Sequence, residues 1–372
     1  MTKILILYSN AGHGHRKVAE TIAKELKRTA PQDASIEIFD SLDKSNALFR
    51  HFYPRSYFAL VRWAPWLWGF FFYLTDLPFV YALIQPLRSF WNTLQSRSLR
   101  SYLKQKNYDF IVFTHFFPAE VCATLKKKRR LKSTLITVVT DVIPHRVWQN
   151  PGTDFYWVMA EESKTVLLAN GVREDSIRIG GIPVDRVFQT SFDRANLKKK
   201  FNLDPDRFTI LFSSGSFGLG KTEAILNSLD QVEKPVQALV VCGNNKKLFE
   251  TLKCKTHSFP IHSFEFIDFM HELMAVSDVL IAKAGGSTTS ESLAMNLPMV
   301  ITDSIPGQEM GNTNWLISRR VAFKLRKPAE AHDLVNRFIS EPDLIKHVKG
   351  QISEVARPEA AKSLAEFILN HA

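Results

Sequence analysis

The stretch KILILYSNAGHGHRKVAETIAKELKRTAPQDASIEIFD, residues 3–40, decides the fold class. It opens on a continuous apolar run, which suits a strand buried on both faces of a parallel sheet. NAGHGH (10–15) is a glycine-bearing turn, RKVAETIAKELKRT (16–29) has helical spacing, and IEIFD (36–40) reads as the next strand. Strand, loop, helix, strand is the unit from which doubly wound α/β domains are built.

Outward from that unit the pattern repeats. DFIVFTH (109–115), TLITVVTD (134–141), DFYWVMA (154–160) and IRIGGIP (177–183) read as strands, with helical stretches such as AEVCATLKKKRR (119–130) between several of them. A basic, polar stretch at 189–207 interrupts the series. It restarts with TILFSSGS (209–216), VQALVVCG (236–243), DVLIAKA (278–284) and PMVITD (298–303). The 372 residues are also too many for one ordinary core. The reading is two doubly wound α/β domains in tandem, 1–185 and 186–354.

Composition narrows the function. At 45% hydrophobic and 23% charged residues the chain is globular. Three cysteines without a C-x-x-C pair exclude a disulfide scaffold or a thiolate zinc site and favour a reducing compartment. A net charge of +11 calls for an anionic partner. Nucleic acid is not expected, because no RNA- or DNA-binding motif is present and the aromatics are too clustered for base stacking. The apolar start runs into Ser-Asn-Ala-Gly without a cleavage-site pattern, so a secretory leader is not expected either.

The aromatics cluster in one segment. Phe58 to Leu74 reads FALVRWAPWLWGFFFYL; it carries Arg62 and Pro65 and falls short of the ~20 apolar residues of a spanning helix. Trp63, Trp66, Trp68, Phe70, Phe71 and Phe72, with Arg50, Arg55, Arg62 and Arg88 nearby, suit the interface of an anionic bilayer. A buried helical pair or a protein interface would use the same residues. The expectation is a cytoplasmic protein, peripheral on the inner face of the membrane.

Three glycine loops sit where a strand hands over to a helix, where backbone N–H groups and the helix dipole face an anion. The first is Asn10–His15, with Gly12 and Gly14. The second, Ser214–Thr222, matches G-x-x-x-x-G-K-[ST] from Gly215 to Thr222, and Asp303 stands as an acidic partner. That makes a P-loop nucleotide hydrolase a rival reading. The third is Ala284–Glu291: Gly285 and Gly286 permit close backbone approach, and Ser287 and Thr288 add hydroxyl donors. Glu291 suits either a ribose diol or the role of a capping carboxylate.

Together GHGHRKVAE (12–20), TDVIPHRVW (140–148), VVCGNNKKL (240–248), FMHELMAVSDVLIAKAGGSTTSESLAMNLPMV (269–300) and IPGQEMGN (305–312) resemble the monogalactosyldiacylglycerol synthase and processive diacylglycerol glucosyltransferase group of glycosyltransferase family 28. The match is loose between about 45 and 105. The resemblance implies a GT-B fold, two Rossmann-like domains facing across a cleft, with acceptor on the first and nucleotide sugar on the second. It also implies that a C-terminal helix, 355–372, packs back on the first domain.

It further implies an inverting transfer of glucose or galactose from UDP-glucose or UDP-galactose to diacylglycerol or a glycosyldiacylglycerol, or to another lipid such as a polyprenyl carrier. Gly14-His15-Arg16 matches the family's Gly-His-Arg, which makes His15 the catalytic base, although His13 stands where glycine is common. Gly286, Ser287 and Thr288 match the diphosphate loop and Glu291 the ribose-binding glutamate. Phe266 and Ile267 match a uracil-holding segment; Gln308 and Glu309, with Asn312 near, match sugar-facing residues. His145 and Trp148 match a cleft-lining motif on the acceptor side. No D-x-D motif sits at a suitable place, so no metal or other cofactor is expected. Lys221 and Thr222 have no task under this reading.

Overall fold

The structure is a computed structural model that describes residues 2–10, 12–213 and 221–371. The first apolar runs become β1 (Lys3–Tyr8), β2 (Ser35–Asp40), β3 (Phe110–Phe113), β4 (Thr134–Val138), β5 (Phe155–Val158) and β6 (Ile177–Ile179). They pair in parallel, in the order β2-β1-β3-β4-β5-β6. Ile4 to Leu7 are fully buried, as a strand covered on both faces requires. The helix α1 (His13–Thr29) buries Val18, Ile22 and Leu26, one turn apart on one face.

A second sheet holds β7 (Phe208–Ser213), β8 (Val236–Val241), β9 (Ile261–Phe264), β10 (Val279–Ala282), β11 (Met299–Ile301) and β12 (Ala322–Lys324). Its order is β12-β11-β10-β7-β8-β9, again all parallel. The two strands that the apolar runs do not announce, β9 and β12, are its edges. Their sequences, IHSF and AFK, are short and mixed because an edge strand faces less protein.

The compact units are Met1–Asp185 with Ile305–Asn312 and Glu359–Ala372, and Arg186–Ser304 with Thr313–Pro358. The last helix, Ala360–Asn370, packs on α1, and its Phe367 meets Phe155 edge-on with ring centroids 5.0 Å apart. The segment Ile305–Asn312 groups with the first unit although it follows β11 in the chain.

Between β2 and β3 lie α2 (Ala47–Trp63), α3 (Pro65–Asp76) and α4 (Pro78–Gln95). No single helix among the described residues is long and apolar enough to cross a membrane; α3 and α4 reach that length only together, across a 97° bend. Trp63, Trp66, Phe70 and Phe71 are exposed. Trp68 and Phe72, expected beside them, are corrected by the structure. Trp68 packs on Tyr57 and Phe72, and Phe72 lies on the His145 ring at 4.5 Å, where a Cβ on Gly307 would strike it. They are packing residues, because the helix turns every 3.6 residues and one flank must face the protein.

Arg88 also turns inward. It pairs with the buried Glu120 at 3.1 Å and donates to the Tyr81 hydroxyl. Asn92 and Ser89 hold the same flank of α4 to Glu120 and Thr124. The opposite flank carries Phe79, Leu83, Leu87, Phe90, Trp91 and Leu94, all exposed, a stripe the sequence reading did not single out. This helix is inverted: polar side held in, apolar side out.

Candidate active site

In parallel α/β sheets, ligands bind beyond the carboxyl ends of the strands, where the strand order reverses. In the first sheet that point lies between β1 and β3. The loop after β1 carries Gly12, Gly14 and His15, and Thr114 and His115 follow β3. Gly12 caps α1 in an extended conformation and His15 stands in its first turn.

His15 Nδ1 lies 2.8 Å from the Thr114 carbonyl oxygen and 3.0 Å from the Thr140 hydroxyl. A carbonyl oxygen only accepts, so Nδ1 carries the proton and Nε2 is left with a free lone pair. The Thr114 hydroxyl donates back to the His15 carbonyl at 2.8 Å, which holds ring and backbone together. Burial pushes the imidazole down to about 4, against the opposing effect of the Thr114 hydrogen bond. At neutral pH His15 is therefore an uncharged ring with its accepting nitrogen defined. His115, buried beside it with ring centroids 4.8 Å apart, caps the helix Phe116–Lys127 through the Phe117 amide.

The residues after β4 supply the rest of this site. Thr140 touches His15, while Asp141 accepts from Trp148 Nε1 at 3.0 Å and from Gln308 Nε2 at 2.8 Å. Asp141 is nearly fully buried, and burial raises its carboxyl to about 6, with Glu309 adding to the rise. Asn312, fully buried, accepts from the Val142 amide at 2.8 Å, and Glu309 accepts from the Ile305 amide at 2.8 Å.

Trp148 and His145 are both buried. Trp148 sits 6.2 Å from the His15 ring. His145 accepts from the Val147 amide and lies 3.0 Å from the Phe72 carbonyl. Of the matched cleft residues, then, Trp148, His145 and Asn312 are buried, and Gln308 and Glu309 are half-buried in the same unit as His15.

In the second sheet the order reverses between β7 and β10. The loop after β10 is Ala284-Gly285-Gly286, and it opens the helix Gly286–Ala294. A Cβ built on Gly285 meets nothing within 4 Å, so open space lies over the loop. Glu291 is buried and accepts from the Ser287 hydroxyl at 2.8 Å. Thr288 follows in the first turn of that helix. Phe266 is exposed and Ile267 half-buried, just past the carboxyl end of β9.

The loop after β7, with Gly215, lies outside the described residues. Lys221, which follows it, pairs with Asp303 beyond β11 at 3.1 Å. Among the described residues no group of three or more His, Cys, Asp or Glu side chains gathers as a metal cluster.

The sequence reading missed Thr140, Asp141, Thr114 and His115. The threonine and aspartate end an apolar strand, VVTD, which is where site residues emerge in such sheets; that was the available signal.

Comparison with known proteins accords with this geometry. Residues 15–184 match the family model described as monogalactosyldiacylglycerol (MGDG) synthase, and residues 209–312 the glycosyltransferase family 28 C-terminal domain. The chain is 28% identical to a processive diacylglycerol beta-glucosyltransferase of Staphylococcus epidermidis, over 99% of this chain and 92% of that one. It is 25% identical to the protein of the same name from Bacillus subtilis, over 99% and 94%. Among solved structures, MurG of Acinetobacter baumannii matches with TM-score 0.64 at 12% identity, over 100% of both chains. Anabaena HepE in complex with UDP-glucose matches with TM-score 0.60 at 15% identity, also over 100% of both. These likenesses give the fold, GT-B, and the second family model spans the segment holding the G-x-x-x-x-G-K-T pattern. Matched in order along the chain, these two models identify an MGDG synthase domain followed by a glycosyltransferase family 28 C-terminal domain.

Proposed function

We propose that this chain is an inverting glycosyltransferase that moves glucose, or galactose, from its UDP-sugar to the free hydroxyl of diacylglycerol or a glycosyldiacylglycerol. The observation that carries the reading is His15: a neutral imidazole with Nδ1 committed to the Thr114 carbonyl, at the switch point of a parallel sheet. The acceptor oxygen attacks the anomeric carbon as His15 Nε2 takes its proton. The bond from that carbon to the diphosphate oxygen breaks, and UDP leaves with the electron pair.

Gly286, Ser287 and Thr288 meet the diphosphate at a helix N-terminus, where amides, hydroxyls and dipole favour the developing charge. Gly285 leaves room for it. Glu291 takes the ribose hydroxyls, and Phe266 and Ile267 hold the uracil ring. Gln308 and Glu309 face the sugar. The charge on departing UDP is thus met by protein groups, and transfer is expected to continue at an undiminished rate in excess chelator. A loss of activity with EDTA that magnesium restores would refute that part of the reading.

The acceptor is reached from the membrane surface. The exposed flanks of α3 and α4 supply the contact, since fully burying one Leu or Phe side chain is worth about 1.5–3 kcal/mol. Phe79, Leu83 and Leu87 replaced together by serine should cut binding to anionic liposomes by at least about tenfold, even at partial insertion depth. Cosedimentation measures it; unchanged partitioning with an intact melting transition would remove this surface from the proposal.

The test of the whole is transfer from labelled UDP-sugars to diacylglycerol in anionic liposomes. A glycolipid product is expected. ATP or GTP hydrolysis without glycolipid would restore the rival P-loop reading, and transfer to a polyprenyl carrier alone would change the acceptor.

A further inference from the structure

Asp141 is a buried carboxylate whose two oxygens accept from two neutral donors, Gln308 Nε2 at 2.8 Å and Trp148 Nε1 at 3.0 Å. No cationic side chain is paired with it among the described residues. A buried charge held this way is costly, and neither the proton transfer by His15 nor the packing of β4 requires it. Its effect on Gln308 is specific. A carboxylate only accepts, so it fixes the amide of Gln308 with the NH₂ toward Asp141 and the carbonyl oxygen Oε1 away. That Oε1 makes no hydrogen bond to any described residue.

We propose that Asp141 is the positioning residue that sets Gln308 as an acceptor for a hydroxyl of the donor sugar. The inference rests on the reading of Gln308 as sugar-facing. Thr140 and Asp141 are neighbours in the chain, and one touches the base while the other orients this amide. The Val142 amide on Asn312 and the Val142 carbonyl on the Ser163 hydroxyl hold the segment that carries both. Without the negative charge the constraint reverses: an amide or a protonated carboxyl at 141 offers a donor, and Gln308 rotates to present its NH₂ outward instead.

Two ligands separate this from a structural role, because UDP lacks the sugar that Gln308 would contact. Calorimetric titration of the full chain is expected to show Asp141→Asn binding UDP within about twofold of wild type and UDP-glucose about tenfold more weakly. Gln308→Ala should show the same loss, and adding Asp141→Asn to it should cost nothing more.

Should the asparagine variant not fold, wild type alone decides. The carboxyl sits near pKa 6, raised by burial and by the Glu309 charge, with the Tyr57 hydroxyl in its field and His15 across Trp148. From pH 7.5 to pH 5 the ratio of UDP-glucose to UDP affinity should therefore fall. Equal weakening of both ligands in Asp141→Asn, or a ratio that stays flat with pH, overturns the proposal. If wild type binds neither UDP nor UDP-glucose, it is the glycosyltransferase reading that has failed.

Discussion

His15→Ala is expected to lower kcat by about 10²–10⁴-fold, the range for removing a positioned general base, while the KM for UDP-sugar changes little. The split follows from position. His15 is held by Thr114 and Thr140 in the first unit, whereas the phosphate-type loop Gly285–Thr288 belongs to the second. Asparagine at 15 should rescue little, since it keeps a donor for Thr114 but has no nitrogen able to take a proton at neutral pH.

The acid side of the rate profile carries a second signature. A solvated histidine would lose base function below about pH 6.5. Burial lowers His15 to about 4, so the neutral form persists as pH falls through 6.5 and is lost only near 4. Any decline near pH 6 belongs to Asp141, and shows in the donor's KM rather than in kcat. A His15→Ala enzyme within threefold of wild-type kcat would end the base assignment.

The second large effect is at Glu291. Hydrogen bonds to a charged acceptor are worth about 1.5–3 kcal/mol, so Glu291→Ala should raise the KM for UDP-sugar by roughly 10–150-fold. Glu291→Gln keeps an acceptor for the Ser287 hydroxyl but loses the charge and the second accepting oxygen. It therefore separates support of the helix from binding of a diol. If Glu291 is merely a helix-stabilising carboxylate, both variants melt earlier and KM does not move.

Lys221→Ala is the matched control. Lys221 and Asp303 are each about half exposed, and such pairs contribute little to stability. The lysine variant should stay within a few-fold of wild type in steady-state transfer. Loss of activity at Lys221 with tolerance at Glu291 would reverse the two loops' roles and revive the nucleotide hydrolase.

Much of this was legible in the residues. ILIL, IVF and ILF are apolar without alternation because the strands they form are covered on both sides; with the more mixed runs of the first sheet's edges, β2 and β6, ten of the twelve strands are legible. The second sheet's edges, β9 and β12, are not, since their burial depends on which neighbours the fold supplies. The glycine loops at 10–15 and 284–291 were legible because short-range order is enough to put a loop between a strand and a helix; the roles of His15 and Glu291 came from the resemblance. Trp68 and Phe72 were misplaced because residues a few positions apart in an aromatic helix face opposite ways, and composition carries no phase. That Asn312 is fully buried and accepts from the Val142 amide, 170 positions away, is likewise not written in the local pattern.

The local pattern by itself determined the strands of the two parallel sheets and the loops at their carboxyl ends, because each depends on neighbours within a turn or a strand, while the order of the motifs along the chain carried the resemblance to the family. Only the tertiary structure decided the tautomer of His15, the inward flank of α4 and the contact of Gln308 with Asp141. That last pair is 167 positions apart in the chain. Hydrogen bonds and burial between such distant residues arise from how strands are ordered in a sheet, and no periodicity along the chain encodes them.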